Sequence, residues 1–315
     1  MAAISELEKQ LRESVGEVKI PFETVVLSTI VERATLKSAR ALDPSNWPEA
    51  ARHFYSVYLD RELDTSTRIE GLTGAAQMLI NHNEIDRAIG MLEGGRVLLE
   101  DLSGDDKLIG ESDVDIRIGW ALDLKGEFAL AAEKFSSARQ SLNKTQDRKA
   151  TGLEETARHF LAREKVALAT KGIDVDVNLK EAEELLREDM QLYPDAKGVQ
   201  AFGNLWLARI ELLKRDLKNA REKAEAALQT LPDVGGHYNV IMGRIDLEEG
   251  KFASAMLRFS EADRIFRKVG YPKGISDSLY LQAICEFYQG DQEKTKSLYK
   301  EALEINPFLP KRGFV

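Results

Sequence analysis

Residues 118–138 read Ile118-Gly119-Trp120-Ala121-Leu122-Asp123-Leu124-Lys125-Gly126-Glu127-Phe128-Ala129-Leu130-Ala131-Ala132-Glu133-Lys134-Phe135-Ser136-Ser137-Ala138. The same pattern returns at Met242-Gly243, Gly250-Lys251-Phe252, Ala255, Phe259 and Ala262. The two glycines are seven residues apart in each copy. The Phe, Ala, Phe, Ala series then runs three, four, three in both. That spacing predicts a helical hairpin. Gly119 or Gly243 lies on a first helix where a second must approach closely. Gly126 or Gly250 ends that helix at a position that tolerates positive φ. The second helix sets aromatic and small residues on one stripe, the aromatics filling the gaps that the small residues leave.

Aligned on the Ala that opens the second helix, further units appear. One has Leu207-Ala208, Leu217, Ala220, Ala224, Ala227 and Pro232. Another has Gln282-Ala283, Gly290, Thr295 at the Ala position, Tyr299, Ala302 and Pro307. A fainter one has Ala182, Leu186 and Pro194. The faintest centre on Ala88, with Leu92 and Gly95, and on Ala51, with Ala39 and Tyr55. The alignment positions are 51, 88, 131, 182, 220, 255 and 295, so the spacings are 37, 43, 51, 38, 35 and 40. Pro194, Pro232 and Pro307 each fall twelve residues after an alignment position, where a proline stops the second helix.

This order of small residue, Gly, aromatic, Ala, aromatic, Ala and Pro resembles the tetratricopeptide repeat. The resemblance implies an all-α fold: a right-handed superhelical solenoid of about seven antiparallel helix hairpins. The family's length is about 34 residues. The excess here is expected in segments Asp101–Ser112, Lys144–Gly152 and Lys171–Leu179. Ala262–Gly274 looks like the longer linker of tetratricopeptide regions in bacterial transcriptional regulators and related signal-sensing proteins. The expected organisation is a capping helix in residues 1–20, with Ile4, Leu7, Leu11 and Val15 on one face. A continuous solenoid follows over 21–307, then a short tail over 308–315.

Composition agrees with helix. Of 315 residues, Gly and Pro are only 22 and 8, and 43% are hydrophobic, which excludes wholesale disorder. Lys plus Arg is 44 and Asp plus Glu is 53, a formal charge of −9. That balance argues against nucleic acid as the partner. A single cysteine, Cys285, makes no internal disulfide. The N-terminus does not read as a signal peptide, and the apolar run at Thr24–Val31 is short of the roughly 20 residues of a membrane span. A cytoplasmic protein without membrane contact is the expectation.

No catalytic constellation emerges, and no cofactor or metal is expected. The phosphate-binding Gly-x-x-x-x-Gly-Lys-Ser/Thr loop is absent. His53, His82, His159 and His237 stand outside His-Glu-x-x-His and have no cysteine at zinc-ligand spacing. Asp113-Val114-Asp115 and Asp174-Val175-Asp176 carry too few carboxylates for a calcium loop and read as helix caps or solvated turns. Cys285 reads as a buried structural thiol.

In the family, positions 2, 5, 9 and 12 of the first helix point into the concave groove. Carried over, these are Asp113, Ile116, Trp120 and Asp123; Phe202, Leu205, Arg209 and Leu212; His237, Val240, Arg244 and Leu247; and Asp277, Tyr280, Ile284 and Phe287. The candidate groove is Trp120, Phe202, Leu205, Arg209, His237, Val240, Arg244, Tyr280, Ile284 and Phe287. Arg209 and Arg244 hold equivalent positions, roughly 10 Å apart in stacked helices, and would grip a carboxylate. Trp120, Phe202 and Phe287 read equally as core between hairpins. The two arginines read equally as surface partners of Glu211, Asp246 or Glu248. The Lys and Asn of the chaperone-binding carboxylate clamp are missing from positions 5 and 9.

The expected function is a non-catalytic protein-interaction scaffold that takes an extended peptide or a helix of a partner protein. Alternatives are a ligand-sensing module that changes superhelical pitch, a structural subunit or homo-oligomer, and an enzyme with a cryptic site between loops Asp101–Ser112 and Lys171–Leu179.

Overall fold

A computed structural model describes residues 31, 34–42 and 46–309. The expected capping helix lies outside these residues. So does the expected tail, apart from Phe308 and Leu309, and Leu309 is buried.

The described residues contain fourteen α-helices and no strand. They are α1 (Leu36–Arg40), α2 (Trp47–Leu59), α3 (Thr65–Asn81), α4 (Ile85–Gly95), α5 (Gly104–Lys125), α6 (Phe128–Leu142) and α7 (Arg148–Thr170). After them come α8 (Val175–Leu192), α9 (Lys197–Leu213), α10 (Leu217–Thr230), α11 (Gly235–Glu248), α12 (Phe252–Val269), α13 (Pro272–Gln289) and α14 (Gln292–Ile305). They form seven hairpins of odd and even helices. The chain divides into two compact units, whose described parts are 31–164 and 165–309, with α7 contributing to both.

Each alignment position lies on a second helix and is sealed: Ala51, Ala88, Ala131, Ala182, Ala220 and Ala255 are 0% exposed and Thr295 is 2%. Twelve residues earlier, on the first helix, stand Ala39, Ala76, Gly119, Ala208, Gly243 and Ala283, all buried. The closeness is measurable: a Cβ on Gly119 would lie 2.9 Å from the Phe135 ring, and one on Gly243 only 2.5 Å from the Phe259 ring. Both rings are fully buried.

The turns share one geometry. Gly126 (φ 76°) ends α5, and the Glu127 N–H reaches back to the Leu122 carbonyl at 2.9 Å. Gly250 and Gly290 end α11 and α13 in the same way, each five residues before its alignment position. At the equivalent offset before Ala88 and Ala220 stand Asn83 (φ 64°) and Arg215 (φ 62°), with the same back-bonds from Glu84 to Leu79 and from Asp216 to Glu211, each 2.9 Å. The next residue often caps the second helix. Asp216 accepts from the Asn219 N–H and Asp291 from the Lys294 N–H, both at 3.0 Å.

The long spacings left longer helices and longer loops both open. They are absorbed by longer helices, not loops: α5 has 22 residues and α7 has 23. Within Ala262–Gly274, α12 runs on to Val269, Gly270 turns at φ 65°, and α13 starts at Pro272. Proline fits there because a first-turn N–H has no helical acceptor. The prolines at 194, 232 and 307 each follow a second helix that has just ended, at Leu192, Thr230 and Ile305.

Candidate functional site

In the 165–309 unit, the first helices α9, α11 and α13 carry nine of the ten predicted groove residues. Three are core. Leu205 is 5% exposed, and Tyr280 and Ile284 are each 1% exposed. Tyr280 packs 5.9 Å from Tyr299 of α14, and Ile284 shares its cluster with Leu303. The groove assignment is therefore corrected for these three: their side chains turn toward the second helices and bury apolar area there. Phe202, Val240 and Phe287 are half-buried and lean on the same cores.

The polar part of this face is more enclosed than an ordinary surface. Arg209 is 7% exposed, with its guanidinium 5.2 Å from the Trp206 ring. Desolvation pulls the half-buried Arg244 down to about 10, against the raising charges of Glu248 and Asp277. Of the alternative partners, Glu248 acts on Arg244 through its charge, and the other two also have partners of their own. Glu211 pairs with Lys214 at 3.4 Å, and Asp246 accepts from the Ser254 hydroxyl at 2.7 Å. Lys273 bonds Asp277 at 3.0 Å. His237 sits among rings, with centroids 5.7 Å from Phe202, 5.0 Å from Phe266 and 5.8 Å from Tyr271.

Trp120, the tenth residue, belongs to the 31–164 unit. It packs 6.0 Å from Phe160, which stacks on Phe135 at 5.2 Å and lies under the Arg163 guanidinium at 4.5 Å. Arg163 also pairs with Asp123 at 3.2 Å. Asp113 and Asp115 stand mid-helix, not at a cap. Asp113 accepts from Arg117 at 3.2 Å, and Asp115 pairs with Arg96 and Lys134. Asp174 is at the start of α8 with φ 39° and makes no capping bond. Among the described residues no cluster of three or more His, Cys, Asp or Glu could hold a metal ion, and no helix is long and apolar enough to cross a membrane.

The 31–164 unit holds a cleft of about 490 Å³ on its first helices α1, α3, α5 and α7. Its floor includes Phe54, Ile69, Met78, Leu102, Ile109 and Leu153. Its polar rim carries three cations, Arg40, Arg117 and Lys149, and three anions, Glu70, Asp106 and Asp113. Four of these are already matched: Arg40 bonds Glu70 at 2.8 Å, and Arg117 bonds Asp113. Arg117 also donates to the Gln77 side-chain carbonyl, tying α5 to α3. Gly74 keeps the floor low, because a Cβ there would meet the Phe54 ring at 2.4 Å.

Of this lining, the sequence reading named only Asp113. The signal was present: the offsets that give Asp113, Ile116 and Trp120 from Ala131 give Glu70, Thr73 and Gln77 from Ala88, and the last of them gives Arg40 from Ala51. Those two units have the faintest motifs, with no aromatic at the glycine turn, so they set no register by themselves.

No protein-family model matches the chain, and no curated protein matches it in sequence. Solved structures do. A tetratricopeptide repeat protein from Parabacteroides merdae ATCC 43184 aligns over 98% of this chain and 99% of its own, with a TM-score of 0.56 at 11% identity. A Rap protein complexed with competence and sporulation factor aligns over 77% of each chain, with a TM-score of 0.51 at 11% identity. The apo form of RapI covers 77% of this chain and 99% of its own, with a TM-score of 0.51 at 9% identity. The fold is the all-α helical repeat of tetratricopeptide proteins.

Proposed function

We propose that this chain is a non-catalytic scaffold that binds a segment of a partner protein on the inner side of its first helices. The observation that carries the reading is the 490 Å³ cleft, lined mostly by side chains from four successive first helices, with Phe54 of α2 and Leu102 completing its floor. A pocket assembled this way is a consequence of stacking, and its size lies within the usual ligand range of about 300–1,000 Å³. Its charge-balanced rim and the net charge of −9 suit a protein or peptide better than a nucleic acid. That a Rap protein of the same fold was solved complexed with a factor supports a binding role for such a repeat array. In the 165–309 unit, Phe202, Arg209, His237, Val240, Arg244 and Phe287 form the corresponding face. There the enclosed guanidinium groups would read a carboxylate more strongly than solvated ones.

The test is affinity capture from native lysate, followed by hydrogen exchange on the complex. Protection on α3, α5, α9 and α11 is the expected result. Protection confined to the second helices would overturn it and favour a structural subunit held by its outer side. Arg209→Lys with Arg244→Lys keeps the charge and loses the planar fork, and should weaken capture at least tenfold if that face holds a carboxylate.

A further inference from the structure

We infer that the end of the cleft between the first turns of α5 and α7 is a site for a free α-amino acid with a large apolar side chain. The inference goes beyond the scaffold reading above, because it adds a small ligand of defined charge to the segment of a partner protein.

The starting point is a pair of opposite charges on the rim. Of its six charged side chains, Arg40 bonds Glu70 and Arg117 bonds Asp113. Asp106 and Lys149 make no ion pair with each other or with any other described residue. Their local settings differ. Asp106 is the third residue of α5, where the helix dipole favours an anion. Lys149 is the second residue of α7, where the same dipole disfavours a cation. A carboxylate brought to Lys149 relieves that conflict, and an ammonium brought to Asp106 completes the match.

The packing of α5 on α7 sets the distance between the two charges. Trp120 packs on Phe160 and Asp123 pairs with Arg163, so residues forty apart stand level on these helices. Lys149 is therefore level with Ile109, and Asp106 lies three residues, or about 4.5 Å, before it. With helix axes about 8–10 Å apart, the two positions are about 10 Å from each other. An ammonium and a carboxylate on one carbon are about 3 Å apart. Two charge-assisted hydrogen bonds of about 2.8 Å complete a bridge of about 9 Å. The ammonium donates to Asp106 and the carboxylate accepts from Lys149. One turn in from each charge lies an apolar residue of the floor, Ile109 after Asp106 and Leu153 after Lys149. Leu102 borders the same end, 3.4 Å from where a Cβ on Gly110 would lie. Burial against these three side chains favours a ligand side chain the size of leucine or phenylalanine over the hydrogen of glycine.

The experiment is isothermal titration calorimetry on the full chain with L-leucine, L-phenylalanine, their N-acetyl and amide derivatives, and glycine. Leucine or phenylalanine should bind at least tenfold tighter than its N-acetyl form, which lacks the ammonium. The same margin should hold over its amide, which lacks the carboxylate, and over glycine, which lacks the side chain. Asp106→Asn and Lys149→Met should each weaken binding at least tenfold. Asp105→Asn makes the same charge change one residue away, outside the lining, and should leave binding within twofold. All three positions are exposed, so the fold should survive, read as unchanged circular dichroism. No binding of either amino acid at about 10 mM, equal binding of the blocked forms, or indifference to both rim variants overturns the inference. If it fails while a captured partner still protects α3, α5, α9 and α11, the scaffold reading stands. If the amino acid binds as expected while the captured partner protects only second helices, the scaffold reading alone fails.

Discussion

Gly243→Ala tests the packing rule on which the whole repeat rests. The added Cβ would lie 2.5, 2.8 and 2.9 Å from three carbons of the Phe259 ring. Ordinary carbon contacts are about 3.5–4.0 Å, so the ring or the helix must give by about 1 Å. Phe259 is fully buried in the cluster that α13 shares with its own helix, so the ring has little room to move. Overpacking of this kind costs about 1–3 kcal/mol, and the better helix propensity of Ala returns about 1 kcal/mol. The net expectation is a loss of up to about 2 kcal/mol, read as a lower urea midpoint at 222 nm. Gly90→Ala is the control. Gly90 is an exposed residue in α4 with nothing within 4 Å of the added Cβ, and it should stabilise by about 0.5–1 kcal/mol. Phe259→Leu alone should cost about 1–2 kcal/mol through lost burial. Combined with Gly243→Ala it should cost less than the sum, by about 1 kcal/mol, because the smaller side chain makes room. Strict additivity would refute the reasoning, since the ring would then not be what the new methyl meets.

Two further expectations concern buried titratable groups. The His82 ring stacks on Trp47 at 4.0 Å, and desolvation lowers it from 6.5 to about 4, against a raising charge from Glu84. The unfolded chain takes up this proton first as pH falls, so stability is full above about pH 6.5 and is lost progressively down to about 4. His82→Gln should flatten the fall in urea midpoint between pH 6.5 and 4.5, and an unchanged slope would place the effect elsewhere, such as at His159, which burial lowers to about 3. Burial, and secondarily the charge of Glu286, raises the Cys285 thiol to about 12, leaving a thiolate share of about 10⁻⁴ at pH 8. A disulfide reagent should therefore label Cys285 only as fast as the chain unfolds, and rapid labelling of the native protein would contradict its burial.

Much of the fold was legible because its constraints are steric and local. The buried small residues and their partner aromatics can be few residue types, and they recur at fixed offsets. The hairpin turns were only partly legible. Glycine marks Gly126, Gly250 and Gly290, whereas Asn83 and Arg215 adopt the same left-handed conformation without glycine's freedom. At both turns the back-bond and the buried Ala88 or Ala220 hold the backbone, and at Arg215 the Asp216 cap adds to them, so the residue type leaves no trace. The long helices α5 and α7 were hidden for a different reason. Asp105, Asp106 and Lys107 open α5, and Arg148 and Lys149 open α7, and such polar first turns have the composition of loops.

The candidate site was less legible because groove and core share one helix surface. At 100° per residue, position 8 of the first helix points directly at its own second helix. Measured from position 5, position 12 lies 20° back toward that contact, whereas positions 9 and 2 lie 40° and 60° away from it. Burial follows this order only in part, since Leu247 and Phe287 at position 12 are half-buried and Arg209 and Asp277 at positions 9 and 2 are buried. At position 5, Thr73, Ile116, Leu205 and Tyr280 are all 5% exposed or less, and Leu36 and Val240 are half-buried. At positions 2 and 9, Glu70, Gln77, Asp113, Trp120, Phe202, His237 and Arg244 remain half-buried. Ile284 departs from the order, since nothing polar holds it outward and the Tyr280 cluster can absorb it. Treating positions 2, 5, 9 and 12 as one inward set therefore mixes two physical roles. Changes at the buried Leu205, Tyr280 and Ile284 act on stability through lost burial.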